Sequence, residues 1–285
     1  MKEYINSSTV AILMSTYNGE KYVDEQIRSI LKQSFTDFTI YIRDDCSTDG
    51  TLKILNKYKE TPNVVVIEGQ NNLGSNRSFL SLLENIQSDY YMFSDQDDVW
   101  LPDKISKSYK LIKDEEIVNQ SVIPTIVHTD LYLVDGELNP IAPSYWQHCN
   151  IGVKYPHTFE LLCHYNDVTG CAMIFNNYVK ILYLKYKGII LHPSMYHDSL
   201  LNILVAKAHG KIIPLHESTI LFRRHGHNST DPLTKKKSIL EEPYKIFSYI
   251  SNLYDRYKFY KTLGYDSFLK FLYYKCLLKY YQKNG

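Results

Sequence analysis

The chain has 285 residues, 44% of them hydrophobic and 22% charged, with a formal net charge of +1. That is enough apolar material for one large core, or for a core and an appendage, and the near-neutral balance excludes a dedicated nucleic-acid binder, which is basic over its whole domain. Five cysteines, odd in number and without a CxxC pair, argue against a disulfide framework and for buried thiols, and the spacing of His148, Cys149, Cys163, His164 and Cys171 matches no structural zinc motif.

Met1 to Ser8 is polar, and no stretch reaches the ~18 uncharged apolar residues of a membrane span. The expected location is therefore the cytoplasm, free or peripheral on the inner face of the cell membrane.

In chain order, the apolar run from Thr9 to Ser15 predicts an inner strand of a parallel sheet covered on both faces. It ends in the polar turn Thr16 to Glu20, and Val23, Ile27, Ile30 and Leu31 follow at helical spacing. A second strand-loop-helix unit runs from Phe38 to Arg43, through Asp44-Asp45-Cys46-Ser47-Thr48-Asp49-Gly50, to Leu52, Ile54, Leu55 and Tyr58. A third places Val64 to Ile67 before Asn71 to Arg77 and a helix bearing Phe79, Leu82, Leu83 and Ile86. Such alternation implies right-handed crossovers and ligands bound beyond the carboxyl ends of the strands, so the loops at 15–20, 44–50, 71–77 and 95–98 should share one edge.

The fourth strand, Tyr90 to Phe93, runs into Ser94-Asp95-Gln96-Asp97-Asp98-Val99-Trp100. Carboxylates one residue apart at a strand end can turn toward one Mg²⁺ or Mn²⁺, since hard cations favour oxygen donors; Asp95 and Asp97 are thus candidate metal ligands. The plainer reading is that Asp97, Asp98 and Asp103 solubilise and cap a helix beginning near Pro102.

Beyond residue 121 the alternation weakens. Val122–Val127 and Asp130–Val134 read as two strands, residues 139–157 as an aperiodic loop over the site, and Gly170 to Phe175 as a further strand. His197 and Asp198 open a helix carrying Leu200, Leu201, Leu204, Val205 and Ala208, where Asp198 could simply complement the helix dipole. Strands at Ile212-Ile213 and Ser218–Phe222 lead to the cationic loop Arg223-Arg224-His225-Gly226-His227-Asn228. Residues 241–283 interleave aromatic residues with lysines, as two helices broken near Gly264 that would pack on the core, join a second subunit or lie on an anionic membrane.

The run Val10 to Gly19, Gln33 to Phe38, Asp44 to Thr51 and Ser94 to Trp100 together resemble the family-two glycosyltransferases. In motif style they are most similar to bacterial rhamnosyltransferase-like enzymes of surface glycan assembly. The resemblance implies a GT-A fold, an α/β mixed sheet flanked by helices. It would occupy residues 1–230, with a nucleotide-sugar half at 1–115 and an acceptor half at 116–230, and a helical extension at 231–285.

Position by position, the resemblance places Ser15 and Tyr17 at the base and ribose and Asp44 or Asp45 on the base. It makes Asp95 and Asp97 the metal pair, His225 a late metal ligand and Asp198 the catalytic base. Asn18, Glu20, Asn76, Arg77, Gln96, Arg223 and Arg224 complete the expected donor side, and Trp100 and His197 the acceptor side. The segment around Asn72 and Gly74 departs from the family pattern. The cofactor implied is Mn²⁺ or Mg²⁺, and the donor dTDP-rhamnose or a UDP-hexose such as UDP-glucose or UDP-galactose. The acceptor implied is a lipid- or protein-linked glycan.

These residue types suit the chemistry independently. A departing nucleoside diphosphate needs positive charge, the attacking hydroxyl needs one general base, and a single displacement inverts the anomeric centre. A sugar-phosphate nucleotidyltransferase would instead show a glycine-rich N-terminal loop followed by Lys or Arg. A non-catalytic nucleotide-sugar or glycan-binding module would lack the metal pair or the base.

Overall fold

The computed structural model describes residues 4–5, 8–119, 123–151, 155–188, 195–225 and 246–284. The strands and helices begin with β1 (Tyr4–Ile5), β2 (Val10–Thr16), α1 (Val23–Leu31), β3 (Phe38–Asp44), α2 (Thr51–Leu55), β4 (Val64–Glu68) and α3 (Ser75–Asn85). They continue with β5 (Ile86–Gln87), β6 (Tyr90–Ser94), β7 (Val99–Trp100), α4 (Lys104–Asn119), β8 (Thr125–Val134), β9 (Pro140–Ala142), α5 (Tyr145–His148) and α6 (Phe159–Leu162). The last are β10 (Met173–Asn176), α7 (Asn177–Tyr186), α8 (His197–Lys207), β11 (Lys211–Arg223), α9 (Ile246–Thr262) and α10 (Phe268–Asn284).

The main sheet has the order β4-β3-β2-β6-β10-β8-β11-β7, with β9 paired to β8. Strands β4, β3, β2 and β6 are parallel, so their carboxyl ends meet on one edge. Strand β10 runs antiparallel to both β6 and β8, and β7 antiparallel to β11, which makes the sheet mixed. Both faces are covered. Along β2, Ala11 and Leu13 enter one apolar cluster while Val10, Ile12 and Met14 enter the other, as alternation in a strand buried on both sides requires.

The second half departs from the sequence expectation. The two strands anticipated before Val134 are one, because Asp130 sits inside β8 with its carboxylate satisfied by Leu131 N (2.7 Å), Trp146 N (3.1 Å) and the Ser144 hydroxyl. Likewise Lys211 to Arg223 is a single strand whose register slips around exposed His216 and Glu217. The segment at 139–157 is not a free loop in its described part: it holds β9 and α5, and Trp146 is buried.

Helices α9 and α10 break at Gly264, whose φ of +92° is a left-handed value that glycine adopts without strain. Their inner face joins the core beside α8: Leu253, Tyr257, Tyr260, Leu263, Tyr265 and Phe271 share one cluster with Leu200, Leu204 and Phe175. No helix among the described residues is long and apolar enough to cross a membrane.

Phe271 is fully buried, with its ring 4.2 Å from His164, whereas Leu269 on the same helix is 78% exposed. Phe271→Ala is expected to lower the free energy of unfolding by about 3–5 kcal/mol. Leu269→Ala should stay within about 0.5 kcal/mol. Urea denaturation of the two variants checks this, and equal losses would contradict the packing.

Candidate active site

The parallel strands deliver four polar loops to one cleft of about 1280 Å³. Its walls include Ser15, Tyr17, Asn18, Asp45, Asp95, Gln96, Asp97, His197, Asp198 and His225. Elements far apart in sequence thus bring ten of the expected residues together. Glu20, Asp44, Asn76, Arg77, Trp100, Arg223 and Arg224 do not reach the walls, and for most of them the structure shows another task.

The first two loops staple each other. Asn18, held at φ +48°, accepts from Thr48 N at 2.8 Å and donates its own N–H to Ser47 Oγ at 2.9 Å. Glu20 accepts from Gly50 N, and Gly19 N donates to Thr51 Oγ1 at 2.8 Å. Glu20 is therefore a loop staple rather than a donor contact. Asp44 is likewise consumed, accepting from Thr16 Oγ1, Ser47 N and Ser47 Oγ at 2.6–3.0 Å. Its neighbour Asp45 faces the cleft, paired with buried Arg43 and accepting from Leu73 N at 2.8 Å and Gly74 N at 2.7 Å. Gly74, at φ +75°, turns the chain into α3 at that point. Gln96 clamps Tyr17, accepting from its N–H at 2.8 Å and donating to its carbonyl at 3.0 Å. The Tyr17 ring is left 47% exposed over the cleft.

On α3, Asn76 is turned to the chain before α8, donating to Met195 O at 2.7 Å. Arg77 is exposed and is not among the residues that line the cleft. Trp100 is a core residue, 2% exposed, with the Lys104 ammonium 4.6 Å from its ring centroid; its position in the β7·β11 ladder turns it inward, away from any acceptor.

Around the aspartates, charge is concentrated in little water. Loss of solvation, then the Asp97 and Asp198 charges, hold the Asp95 carboxyl well above the usual carboxylate range. Asp98 is fully buried and raised for the same first reason, with Asp97 and Asp95 adding to it. The Cys171 thiol lies with Asp95 and Asp98, the three donor atoms within 4.8 Å of one another. It gets there because β10 runs antiparallel to β6, which puts the start of β10 beside the end of β6. Behind them Lys104 is fully buried, and burial pulls its ammonium down to about 8.

The β7·β11 ladder brings in the cationic loop. Arg223 N donates to Asp98 Oδ1 at 3.1 Å, and its guanidinium donates to Asp97 O at 2.7 Å and Gly136 O at 2.6 Å while pairing with Glu25. Arg223 is thus a brace for the aspartate loop, 2% exposed, and not a diphosphate contact. Arg224 continues the pairing of β11 with β8, its N–H donating to Val134 O at 2.8 Å. His225 does face the cleft, with Nε2 2.8 Å from Asp97 Oδ2 and its ring stacked on Tyr22. Gly226, His227 and Asn228 lie outside the described residues.

Asp198 lines the cleft from the first turn of α8, its carboxylate accepting from Ser199 N at 2.5 Å. His197 packs between the rings of Phe79 and Phe93 at 4.6 and 4.7 Å, and burial lowers its pKa. Only its edge meets the cleft, against Gly170, where a Cβ would lie 2.7 Å from its Nε2. Its main work is therefore packing.

Asp95, Asp97 and His225 all line the cleft, with His225 Nε2 on an Asp97 oxygen, and the crowded carboxylate oxygens are donors of the type a hard divalent cation takes. Sequence reasoning missed Cys171, Lys104, Gly170 and Tyr145 at or behind this cleft. The only early sign of the first two was an apolar or amphipathic context, which does not say what they face.

The model of the family described as Glycosyl transferase family 2 matches residues 11–175. Over 101 residues the chain is 39% identical to the dTDP-rhamnosyl transferase RfbG of Shigella flexneri, covering 33% of this chain and 35% of that protein. Over 91 residues it is 36% identical to the poly(ribitol-phosphate) β-N-acetylglucosaminyltransferase TarS of Staphylococcus aureus, 31% of this chain and 16% of that one. The matched stretches thus span about a third or less of these relatives' own length.

Among solved structures, S. aureus TarS 1-349 in complex with UDP-GlcNAc superposes with a TM-score of 0.55 at 19% identity, over 81% of this chain and 62% of that one. The mannosyltransferase PcManGT from Pyrobaculum calidifontis, in complex with GDP-Man and Mn²⁺, gives 0.56 at 14% identity, over 78% and 58%. These likenesses establish the GT-A fold. Since the family model matches more than half of the chain, on the strands and loops that build the cleft, the protein belongs to glycosyl transferase family 2.

Proposed function

We propose that this protein transfers a sugar, with inversion, from a nucleoside-diphosphate sugar to a hydroxyl of a bacterial surface glycan. The observation that carries the reading is the meeting of Asp95, Asp97 and His225 with the exposed Tyr17 ring and the Asp198 carboxylate in one cleft. Tyr17 offers an aromatic face to a base, and Asp45, fixed by Arg43, offers an acceptor to its N–H groups. Asp95, Asp97 and His225 would hold Mn²⁺ or Mg²⁺, which when bound offsets the negative charge developing on the departing diphosphate.

The acceptor hydroxyl attacks the anomeric carbon, its proton passes to Asp198, and the bond from that carbon to the phosphate oxygen breaks with its electron pair leaving on the nucleoside diphosphate. The family, the likeness to a dTDP-rhamnosyl transferase and the likeness to TarS bound to UDP-GlcNAc support a dTDP- or UDP-linked donor. Outward-facing Ile250, Tyr254, Leu269, Tyr273 and Tyr280 on α9 and α10 suit contact with a membrane carrying a lipid-linked acceptor, or with a second copy.

A panel of UDP-, dTDP- and GDP-sugars, with Mn²⁺ or Mg²⁺ and with or without EDTA, is expected to show nucleoside diphosphate release from one donor that EDTA abolishes. No release from any donor, with no nucleotide binding by calorimetry, would turn the reading to a non-catalytic module. Asp97→Ala should remove the metal-stimulated turnover.

Asp198→Asn should keep donor affinity while kcat falls by roughly 10²–10⁴, and near-wild-type rates would show that another group takes the proton. Asp45→Asn leaves the buried Arg43 guanidinium without its counter-charge. It should cost about 3–5 kcal/mol of stability in denaturant titration.

A further inference from the structure

A second cluster of metal-binding side chains lies apart from the aspartate loop and shares no residue with it. His128 sits within β8 and is 0% exposed, and neither ring nitrogen has a hydrogen-bond partner among the described residues. Asp167 is 2% exposed; its Oδ2 lies 2.7 Å from His157 Nε2, while its Oδ1 has no partner. One donor atom from each of His128, His157 and Asp167 falls within 4.8 Å of the other two.

An ion pair pinning the 155–169 segment would account for His157 and Asp167. It leaves His128 unexplained, since buried polar side chains are as a rule hydrogen-bonded, whereas neither nitrogen of this ring is, and one of them stands within 4.8 Å of the carboxylate and the other imidazole. Two imidazoles and one carboxylate are the donor types of a borderline cation such as Zn²⁺, not of Mg²⁺. On a tetrahedral ion with bonds of about 2.0–2.1 Å the donors stand roughly 3.4 Å apart, so small side-chain rotations close the set. Asp167 is also among the residues that line the main cleft, which puts the cluster at its wall.

We propose that His128, His157 and Asp167 form a binding site for Zn²⁺ or a similar divalent transition metal, fastening the segment before β10 to the central sheet at the wall of the cleft.

The test uses the full chain, stripped with chelator, given Zn²⁺ in the presence of excess Mg²⁺, desalted and subjected to elemental analysis. Cobalt(II) substitution reports the coordination geometry. The expected result is a single zinc ion retained per chain and a strong tetrahedral cobalt spectrum. Both should be lost in His157→Gln and in Asp167→Asn and kept in Asp97→Ala. Zinc affinity in the first two should fall by more than the 10–100-fold that loss of an outer-shell partner costs. His157 is partly exposed, so His157→Gln tests the site without opening the core. No zinc retained by the wild-type chain, zinc retained undiminished by both of the first two variants, or zinc lost in Asp97→Ala would each overturn the site.

Discussion

Three carboxylates within four residues, Asp95, Asp97 and Asp98, are held at the mouth of β6 where little water reaches them, and much of the surrounding structure answers that repulsion. Arg223 binds the loop by its backbone N–H and its guanidinium without offering that charge to the cleft. Lys104 stands behind it over the Trp100 ring, and burial makes its ammonium easier to deprotonate than an exposed one. His225 takes Asp97, and the Cys171 thiol fills the space beside Asp95 and Asp98. Each of these groups relieves part of an unfavourable field, and a divalent cation bound there would offset more of it.

The same constraint explains the division of labour among polar residues. Of the two adjacent aspartates at the end of β3, one closes its own turn and the other is paired with Arg43 and two amide N–H groups. A carboxylate fixed in that way is a directional acceptor with no rotamer left to lose. Tyr17, clamped through its backbone by Gln96, is a ring held in place while its face stays open. Binding to groups already ordered costs little conformational entropy.

How much of this was legible in the residues follows from the range of the interactions. Strands β2, β3, β4 and β6 and their loops were readable because each strand-loop-helix unit is local, and the parallel rule then puts four loops on one edge. The placement of Cys171 and Arg223 depends instead on β10 and β11 pairing antiparallel to strands some 80 to 120 residues earlier. Nothing within either segment says which neighbour it will meet. Trp100 misled for a related reason: beside three aspartates it reads as part of the site, yet in a two-residue strand one side chain must point into the core. Asp130 misled in the opposite sense, reading as the start of a new strand although its satisfied carboxylate lets β8 run straight through.

The brace between Arg223 and Glu25 closes 198 residues of chain, and the contact of His225 with Asp97 closes 128. Such loops form late, since their closure entropy must be met before the contact returns anything. During synthesis the parallel strands β2, β3, β4 and β6 are exposed and able to pair long before β11 exists, so the nascent chain passes through a stage with its aspartate loop unbraced and its carboxylates still in water. The crowded, desolvated cleft is therefore among the last features to appear. The order of synthesis delays charge burial until the groups that compensate it have arrived.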